Sequence, residues 1–319
     1  MSPREGARST SVSSAGAGDA RTALAPELMA RVSRIQLRTR RLASSALQGA
    51  YRSSFRGTGI EFDTVRPYQP GDEVRTIDWK VTARVGEPFI KTYVEDRTLI
   101  LQLLVDTSRS MDFGSGEKSK RESAAEVCAL LALVAGRNQD QVGLCLFADE
   151  PGLHLAPKKG QGHVQRLVRE ALVAQSTGRG SSLSAVLEHQ LRHLKRRSLV
   201  LVVSDFLGIE RDPWDDPLAR LARRHDVIAV RVHDPLEEEL PRAGWIELLE
   251  IEEGRRTEID SNSAAVRRAW AEAARKRRAE LLSRLARSGV DLVEVSTTGD
   301  PSEPLARCFA RRAARHGRR

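Results

Sequence analysis

Short, almost wholly apolar runs recur along the chain, separated by segments whose apolar residues fall at helical spacing. Leu99-Ile-Leu-Gln-Leu-Leu-Val runs into Asp106 with one Gln interrupting it, and Ser198-Leu-Val-Leu-Val-Val-Ser runs into Asp205. Gln141 to Ala148 and Val227 to Val232 repeat the pattern, and Leu153 to Ala156 reads as an edge strand pairing with the former. Runs of this length between polar residues predict strands buried on both faces. Between them, Lys118 to Arg137, His163 to Gln175 and Leu183 to Lys195 predict helices packed on a sheet. Strand and helix alternating over roughly 200 residues predict an α/β fold with a doubly wound, mainly parallel sheet.

The flanks read differently. Residues 1 to 24 are rich in Ser, Ala and Gly without an apolar period, so they are expected to be a disordered tail. Over residues 25 to 50 the spacing of Leu28, Val32, Ile35, Leu42 and Ala46 fits a basic amphipathic helix whose stripe packs on the main domain. Residues 51 to 97 carry β-branched and aromatic residues around the turn signal Pro70-Gly71-Asp72 and are expected to form a small β subdomain. The main α/β domain then takes residues 98 to 300. Within it, Trp245 to Ile251 and Arg256 to Ile259 read as a hairpin, Ser263 to Arg287 as a long helix and Val290 to Val295 as a last strand. His233-Asp234 reads as a turn after a strand, and residues 301 to 319 as a basic tail or short helix.

The first candidate chemistry lies where the strand from Leu99 ends. Open α/β sheets place their ligands at the carboxyl ends of strands. There Asp106, Ser108 and Ser110 occur at alternate positions, so an extended loop can aim a carboxylate and two hydroxyls at one point. Hard oxygen donors converging in this way suit Mg2+, which takes roughly six oxygens and usually keeps several as water.

Asp-x-Ser-x-Ser after a buried strand resembles the metal-ion-dependent adhesion site of von Willebrand factor A domains. That resemblance implies two further loops. Ser181 stands where the family usually has Thr, with Ser182 as the neighbouring choice, and Asp205 ends the second apolar run. The implied metal set is Asp106, Ser108, Ser110, Ser181 and Asp205.

The segment before the main domain carries a second resemblance. Gly57-Thr-Gly59-Ile-Glu61-Phe62 is followed by Arg66-Pro-Tyr68-Gln-Pro70-Gly71-Asp72, by Arg75-Thr-Ile-Asp78-Trp79-Lys80, and by Ala83-Arg84. This pattern resembles the signature of the bacterial domain-of-unknown-function family fifty-eight, which precedes a von Willebrand A-like domain. The match runs from about Arg52 to Val295. Membership implies a partner or adaptor of a MoxR-type AAA+ ATPase. The polar residues of the signature, Glu61, Arg66, Tyr68, Asp72, Arg75, Asp78, Trp79 and Arg84, supply carboxylates and guanidinium groups for paired contacts. They serve either a salt-bridged subdomain capping the sheet or a binding surface.

Composition narrows these expectations. The 319 residues are 40% hydrophobic and 30% charged, as in an ordinary soluble protein able to bury a sizeable core. No run of about 18 apolar residues occurs, so no integral membrane segment is expected and a cytoplasmic location follows as the default. Cys128, Cys145 and Cys308 lie in apolar or amphipathic patterns and are expected to be reduced. The net charge of +9 sits at the ends, with ten Arg against three acids in residues 1 to 56 and six Arg against one acid in residues 301 to 319. Such ends fit an acidic partner, and RNA or another nucleic acid is the alternative, disfavoured because aromatic residues for stacking are only 4% of the chain. A metal-dependent phosphohydrolase using Asp106 as nucleophile is a second alternative, but Ser108 stands where such enzymes carry a second acid. The expectation is a non-enzymatic protein-interaction module binding an acidic protein ligand through a divalent cation.

Overall fold

The computed structural model describes residues 33–35, 37–39, 41–54, 59–96, 98–174, 180–249 and 256–316, with side chains outside the description at 59–64, 91–96, 249 and 316. Helix α1 (Ser45–Ser54) leads into an antiparallel ribbon of β1 (Gly59–Pro67) and β2 (Phe89–Asp96), with the short helix α2 (Trp79–Val85) in the connection. Next come β3 (Ile100–Asp106), α3 (Lys120–Arg137), β4 (Gln141–Phe147), β5 (Pro151–Lys158), α4 (Gln161–Val173) and α5 (Leu183–His193). The chain continues through β6 (Leu199–Ser204), α6 (Asp215–Arg224), β7 (Asp226–His233) and the one-turn helix α7 (Pro235–Glu238). A hairpin of β8 (Trp245–Leu249) and β9 (Arg256–Asp260), the long α8 (Ala264–Arg287), β10 (Asp291–Ser296) and α9 (Ser302–His316) complete it.

The central sheet has the order β10-β7-β6-β3-β4-β5, parallel except for the antiparallel edge strand β5. This is the doubly wound α/β architecture that the alternation of strands and helices predicts. β3 lies between β6 and β4, where successive connections leave in opposite directions, and the crevice at its carboxyl end is the usual place for a ligand. On one face Leu101, Leu103 and Val105 of β3 pack against Val127 and Leu131 of α3, Leu305 and Phe309 of α9, and Leu47 of α1. On the other, Leu104 of β3 and Phe147 of β4 join Leu187 of α5, Leu218 of α6 and Leu285 of α8. Each fully buried Leu contributes roughly 2 kcal/mol. With neighbours on both edges and both faces, β3 is therefore firmly held, and Asp106 rides on its end.

The N-terminal helix differs from the single stripe expected of residues 25 to 50. Ala43 and Ser44 interrupt it, and the Ser44 hydroxyl accepts from the amide of Leu47 at 3.3 Å, starting a new helix that runs on to Ser54. The break shifts the apolar face by one residue, so Ala46 is exposed while Ala43, Leu47 and Tyr51 are buried. Ile35 packs with Ala125 and Ala129 of α3 and with Val168 of α4. Leu28, Val32 and the expected tail over residues 1 to 24 lie outside the described residues.

The C-terminal segment is not a tail. α9 buries Leu305, Cys308 and Phe309, and the Phe309 ring meets Tyr51 of α1 edge-on at 5.7 Å. Arg312 and Arg315 bind Asp291 at the start of β10, and Arg312 also reaches Asp226. Part of the basic end is thus engaged with carboxylates of the same domain. Of the two forms expected for this segment, tail or short helix, the helix is the one present, with an apolar face packed on the domain.

Residues 51 to 97 include the α-helical α2 beside the β ribbon, because the Asp78 carboxylate caps it by accepting from the amides of Lys80 at 3.0 Å and Val81 at 3.4 Å. Gly86, at φ 85°, ends it in the left-handed region. The turn at Pro70-Gly71 is closed by a fork between Arg66 and Asp72, at 2.8 and 2.7 Å. Among the other signature residues, Arg75, Trp79 and Arg84 are exposed and Tyr68 is half-buried, while the Glu61 side chain lies outside the description.

Candidate metal centre

β3 and β6 run side by side and deliver Asp106 and the pair Ser204-Asp205 to the same end of the sheet. After β3 the chain stays extended at Ser108 before a 3-10 turn over Arg109–Asp112, and the amide of Ser108 donates to Asp106 Oδ1 at 2.8 Å. The hydroxyls of Ser108 and Ser110 face each other at 3.1 Å. The loop is pinned from outside by Arg121, which donates to the Thr107 carbonyl at 3.3 Å and to Asp112 at 2.5 Å. Thr107 in turn bonds the Phe147 carbonyl of β4 through both its amide and its hydroxyl, at 2.7 and 2.9 Å.

The second loop arrives with α5. Ser182 caps that helix by accepting from the amide of Ala185, while the hydroxyl of Ser181 donates to Asp106 Oδ2 at 3.1 Å. Ser181, rather than Ser182, therefore faces the first loop. The loop is held by the amide of Gly180 on Asp149 at 2.7 Å and the amide of Ser182 on the Ala148 carbonyl at 2.8 Å.

Two groups that periodicity did not single out meet at the third loop, one from β6 and one from α3. Ser204, the last residue of β6, donates its hydroxyl to Asp106 Oδ2 at 2.6 Å. Lys120, the first residue of α3, is fully buried with its ammonium 2.6 Å from Asp205 Oδ2 and in contact with Glu237 of α7. Nothing in the sequence around Lys120 distinguishes it from an exposed lysine at a helix start, because its partners lie 85 and 117 residues away along the chain. Phe206, directly after Asp205, sits at φ 57° in the left-handed region, a conformation costing a non-glycine residue about 1–2 kcal/mol. Strain of this kind collects at functional loops.

Electrostatics match this picture. Burial, and after it the charge of Asp205, push the Asp106 carboxyl up to about 6, while the hydrogen bonds from Ser204 and Ser108 pull the other way. Burial opposes the charge of Lys120, yet Asp205 and Glu237 outweigh it and hold its pKa above the ordinary lysine value. Lys120 thus meets two carboxylates, Asp205 and Glu237, while Asp106 binds the hydroxyls of Ser181 and Ser204 and feels the charge of Asp205. Hydroxyl and carboxylate oxygens of this kind form a donor set that fits a hard dication.

The neighbouring His233-Asp234 pair is built into the fold. Asp234 caps α7 with a reciprocal bond to Glu237 and accepts from Ser115, Leu236 and Thr297. All three cysteines are free and buried.

A family model described as "Protein of unknown function DUF58" matches residues 64–280. The uncharacterized protein Rv1480 of Mycobacterium tuberculosis (strain ATCC 25618 / H37Rv) is 30% identical over 289 residues, covering 90% of this chain and 90% of its own. The uncharacterized protein Mb1516 of Mycobacterium bovis matches to the same extent. Among solved structures, the conserved hypothetical protein BatB from Bacteroides thetaiotaomicron is similar at a TM-score of 0.46 and 14% identity, over 68% of this chain and 99% of that one. The SpRpn10 VWA domain gives a TM-score of 0.36 and 13% identity, over 65% and 93% of the two chains. With most of its length matched by the family model and by full-length relatives, the chain belongs to the DUF58 family.

Proposed function

We propose that this chain is a protein-interaction module, without a catalytic task of its own, that grips an acidic side chain of its partner through Mg2+ or a similar divalent cation. The observation that carries this reading is the meeting of Asp106, Ser181 and Ser204 at the carboxyl ends of β3 and β6, with Ser108 and Ser110 on the same loop as Asp106 and the charge of Asp205 felt there. Asp106, Ser108 and Ser110 would hold the ion directly, and Ser181 and Asp205 directly or through water.

The ion's contribution is a change of sign. A partner carboxylate approaching Asp106 to 4 Å meets a repulsion of about 4 kcal/mol at an effective dielectric of about 20. A dication between them makes the same approach attractive. The chain's own residues prepare for this. Arg121 and Thr107 hold the first loop, Ser182 anchors the second by capping α5, and Lys120 with Glu237 fixes the Asp205 carboxylate.

Family membership supports a MoxR-type AAA+ ATPase as the partner, presenting a Glu or Asp to the ion. Among the described residues no helix is long and apolar enough to cross a membrane. Binding of the purified full-length chain to such an ATPase is expected to vanish in EDTA and return with Mg2+. It is expected to be absent in a folded Asp106→Ala variant. Equal binding in EDTA, or by Asp106→Ala, would overturn the reading.

A further inference from the structure

Outside the oxygen-lined crevice, a cluster of different chemistry lies at the edge of the sheet. Cys145 of β4 is the direct cross-strand partner of His154 on β5, so the two side chains share a face. α5 covers that face and contributes His189. The nearest ligand atoms of Cys145, His154 and His189 all lie within 4.8 Å of one another. Three of the chain's seven histidines gather here, since His193 stacks on His189 with ring centroids 3.9 Å apart and stands 5.5 Å from His154.

We propose that Cys145, His154 and His189 form a second metal site, which takes a borderline-soft transition ion of the Zn2+ class. His189 Nε2 and His154 Nδ1 are 3.3 Å apart. Two nitrogens each about 2.0–2.1 Å from a tetrahedral Zn2+ stand roughly 3.3–3.4 Å from one another, so an ion can replace the shared proton with little movement of the rings. One thiolate and two imidazoles select Zn2+ over Mg2+, whereas the hydroxyls and carboxylates around Asp106 select the reverse. Ligand chemistry thus sorts two different ions into two sites on one domain.

The protonation states agree. Burial, and then neighbouring His193, lower the pKa of both His154 and His189 and favour the neutral rings that ligate metals. Burial pushes the Cys145 thiol up to about 11, so it is a thiol without the ion. Binding releases that proton to solvent as the sulfur takes the metal, leaving a Zn2+ with two neutral nitrogens and one thiolate. The Nδ1 of His193 bonds the His189 carbonyl at 2.8 Å, which fixes that ring beside the site, and the fourth position is left for water.

The placement gives the ion structural work. β5 is an edge strand, paired on one side only, and its register against β4 shifts twice. A metal bound between β4, β5 and α5 ties that edge to the helix whose capping residue, Ser182, follows Ser181 of the oxygen site.

The test is a Co2+ titration of the full, untagged chain in saturating Mg2+, with Co2+ standing in for Zn2+. One equivalent is expected to give the d–d bands of four-coordinate Co2+ and a thiolate-to-cobalt charge-transfer band, both erased by Zn2+. Cys145→Ser is expected to lose the charge-transfer band. Because Cys145 is buried and its substitution can disturb folding, the half-buried histidines carry the decision. His154→Gln and His189→Gln are expected to keep the wild-type circular dichroism and to weaken Co2+ binding at least about tenfold, no less than loss of a second-shell partner. Asp106→Ala is expected to keep both bands. No charge-transfer band in the wild type, or bands and affinity unchanged in the two histidine variants, would overturn the proposal. Loss of the bands in Asp106→Ala would equally overturn it, by locating the ion at the other site.

Discussion

Lys120 Nζ stands 2.6 Å from Asp205 Oδ2, and neither side chain reaches solvent. A cation tethered to α3 therefore already neutralises one carboxylate of the crevice, and Glu237 neutralises that cation in turn. Exchanging Lys120 for an apolar residue leaves Asp205 buried without its counter-charge. Breaking such a pair costs about 3–5 kcal/mol. Lys120→Met is expected to lower the Tm of the metal-free protein and to bind Mg2+ more tightly than wild type, with part of the Tm recovered in excess Mg2+. Thermal melts with and without Mg2+ and calorimetric titration read both effects, and weaker Mg2+ binding by a folded Lys120→Met would contradict this role.

In the signature segment, Asp78 and Arg75 separate structure from surface. Asp78→Ala removes the cap of α2 and is expected to cost about 1 kcal/mol. Arg75→Ala, at an exposed position, is expected to stay within about 0.5 kcal/mol of wild type. Urea denaturation of the two variants tests the difference.

These two residues also mark what was legible in the sequence. Buried strands announce themselves because both faces demand apolar residues, so β3, β4, β6 and β7 and the sheet they build follow from the pattern alone. Asp106, Ser108 and Ser110 were legible because one loop carries them. Ser204 and Lys120 were not: a serine ending a strand and a lysine starting a helix look ordinary until distant loops meet them. The pairing of Arg66 with Asp72 and the exposure of Arg75 are likewise decided by the turn at Gly71 and the helix at Trp79, which local charge density does not reveal. Cys145, His154 and His189 are spread over three elements, and their meeting depends on the β4–β5 register.

Gly143 is required by a neighbour. A Cβ there would lie 2.2 Å from Gln102 Oε1 and 3.0 Å from Pro157 Cγ. Gln102 is fully buried in the middle of β3, so it has little room to retreat. Gly143→Ala is expected to destabilise by about 1–3 kcal/mol. The double variant Gln102→Ala/Gly143→Ala is expected to recover part of that loss, and chemical denaturation of the set measures the coupling.

Asp140 makes stability depend on pH. Its carboxylate accepts from Tyr51 Oη at 3.1 Å and from the amide of Leu99 at 2.9 Å, joining α1 to the start of β3. Burial nevertheless raises its pKa from 3.8 to about 6, with those two bonds pulling down. A carboxyl that is harder to ionise in the folded state favours folding when protonated. Its contribution is complete below about pH 4 and is lost as pH rises through about 6, a change on the order of 3 kcal/mol. Asp140→Asn keeps an acceptor for Leu99 and is expected to remove this component of the slope between pH 4 and 6. An unchanged slope in stability measured across that range would contradict the assignment.

A cation at the end of β3 is visible in anomalous diffraction from crystals grown with Mn2+. One strong peak is expected within coordination distance of Asp106, Ser108 and Ser110, with Ser181 and Asp205 reaching it directly or through one water. A crevice without such a peak at saturating Mn2+, with Lys120 still closing on Asp205, would contradict it.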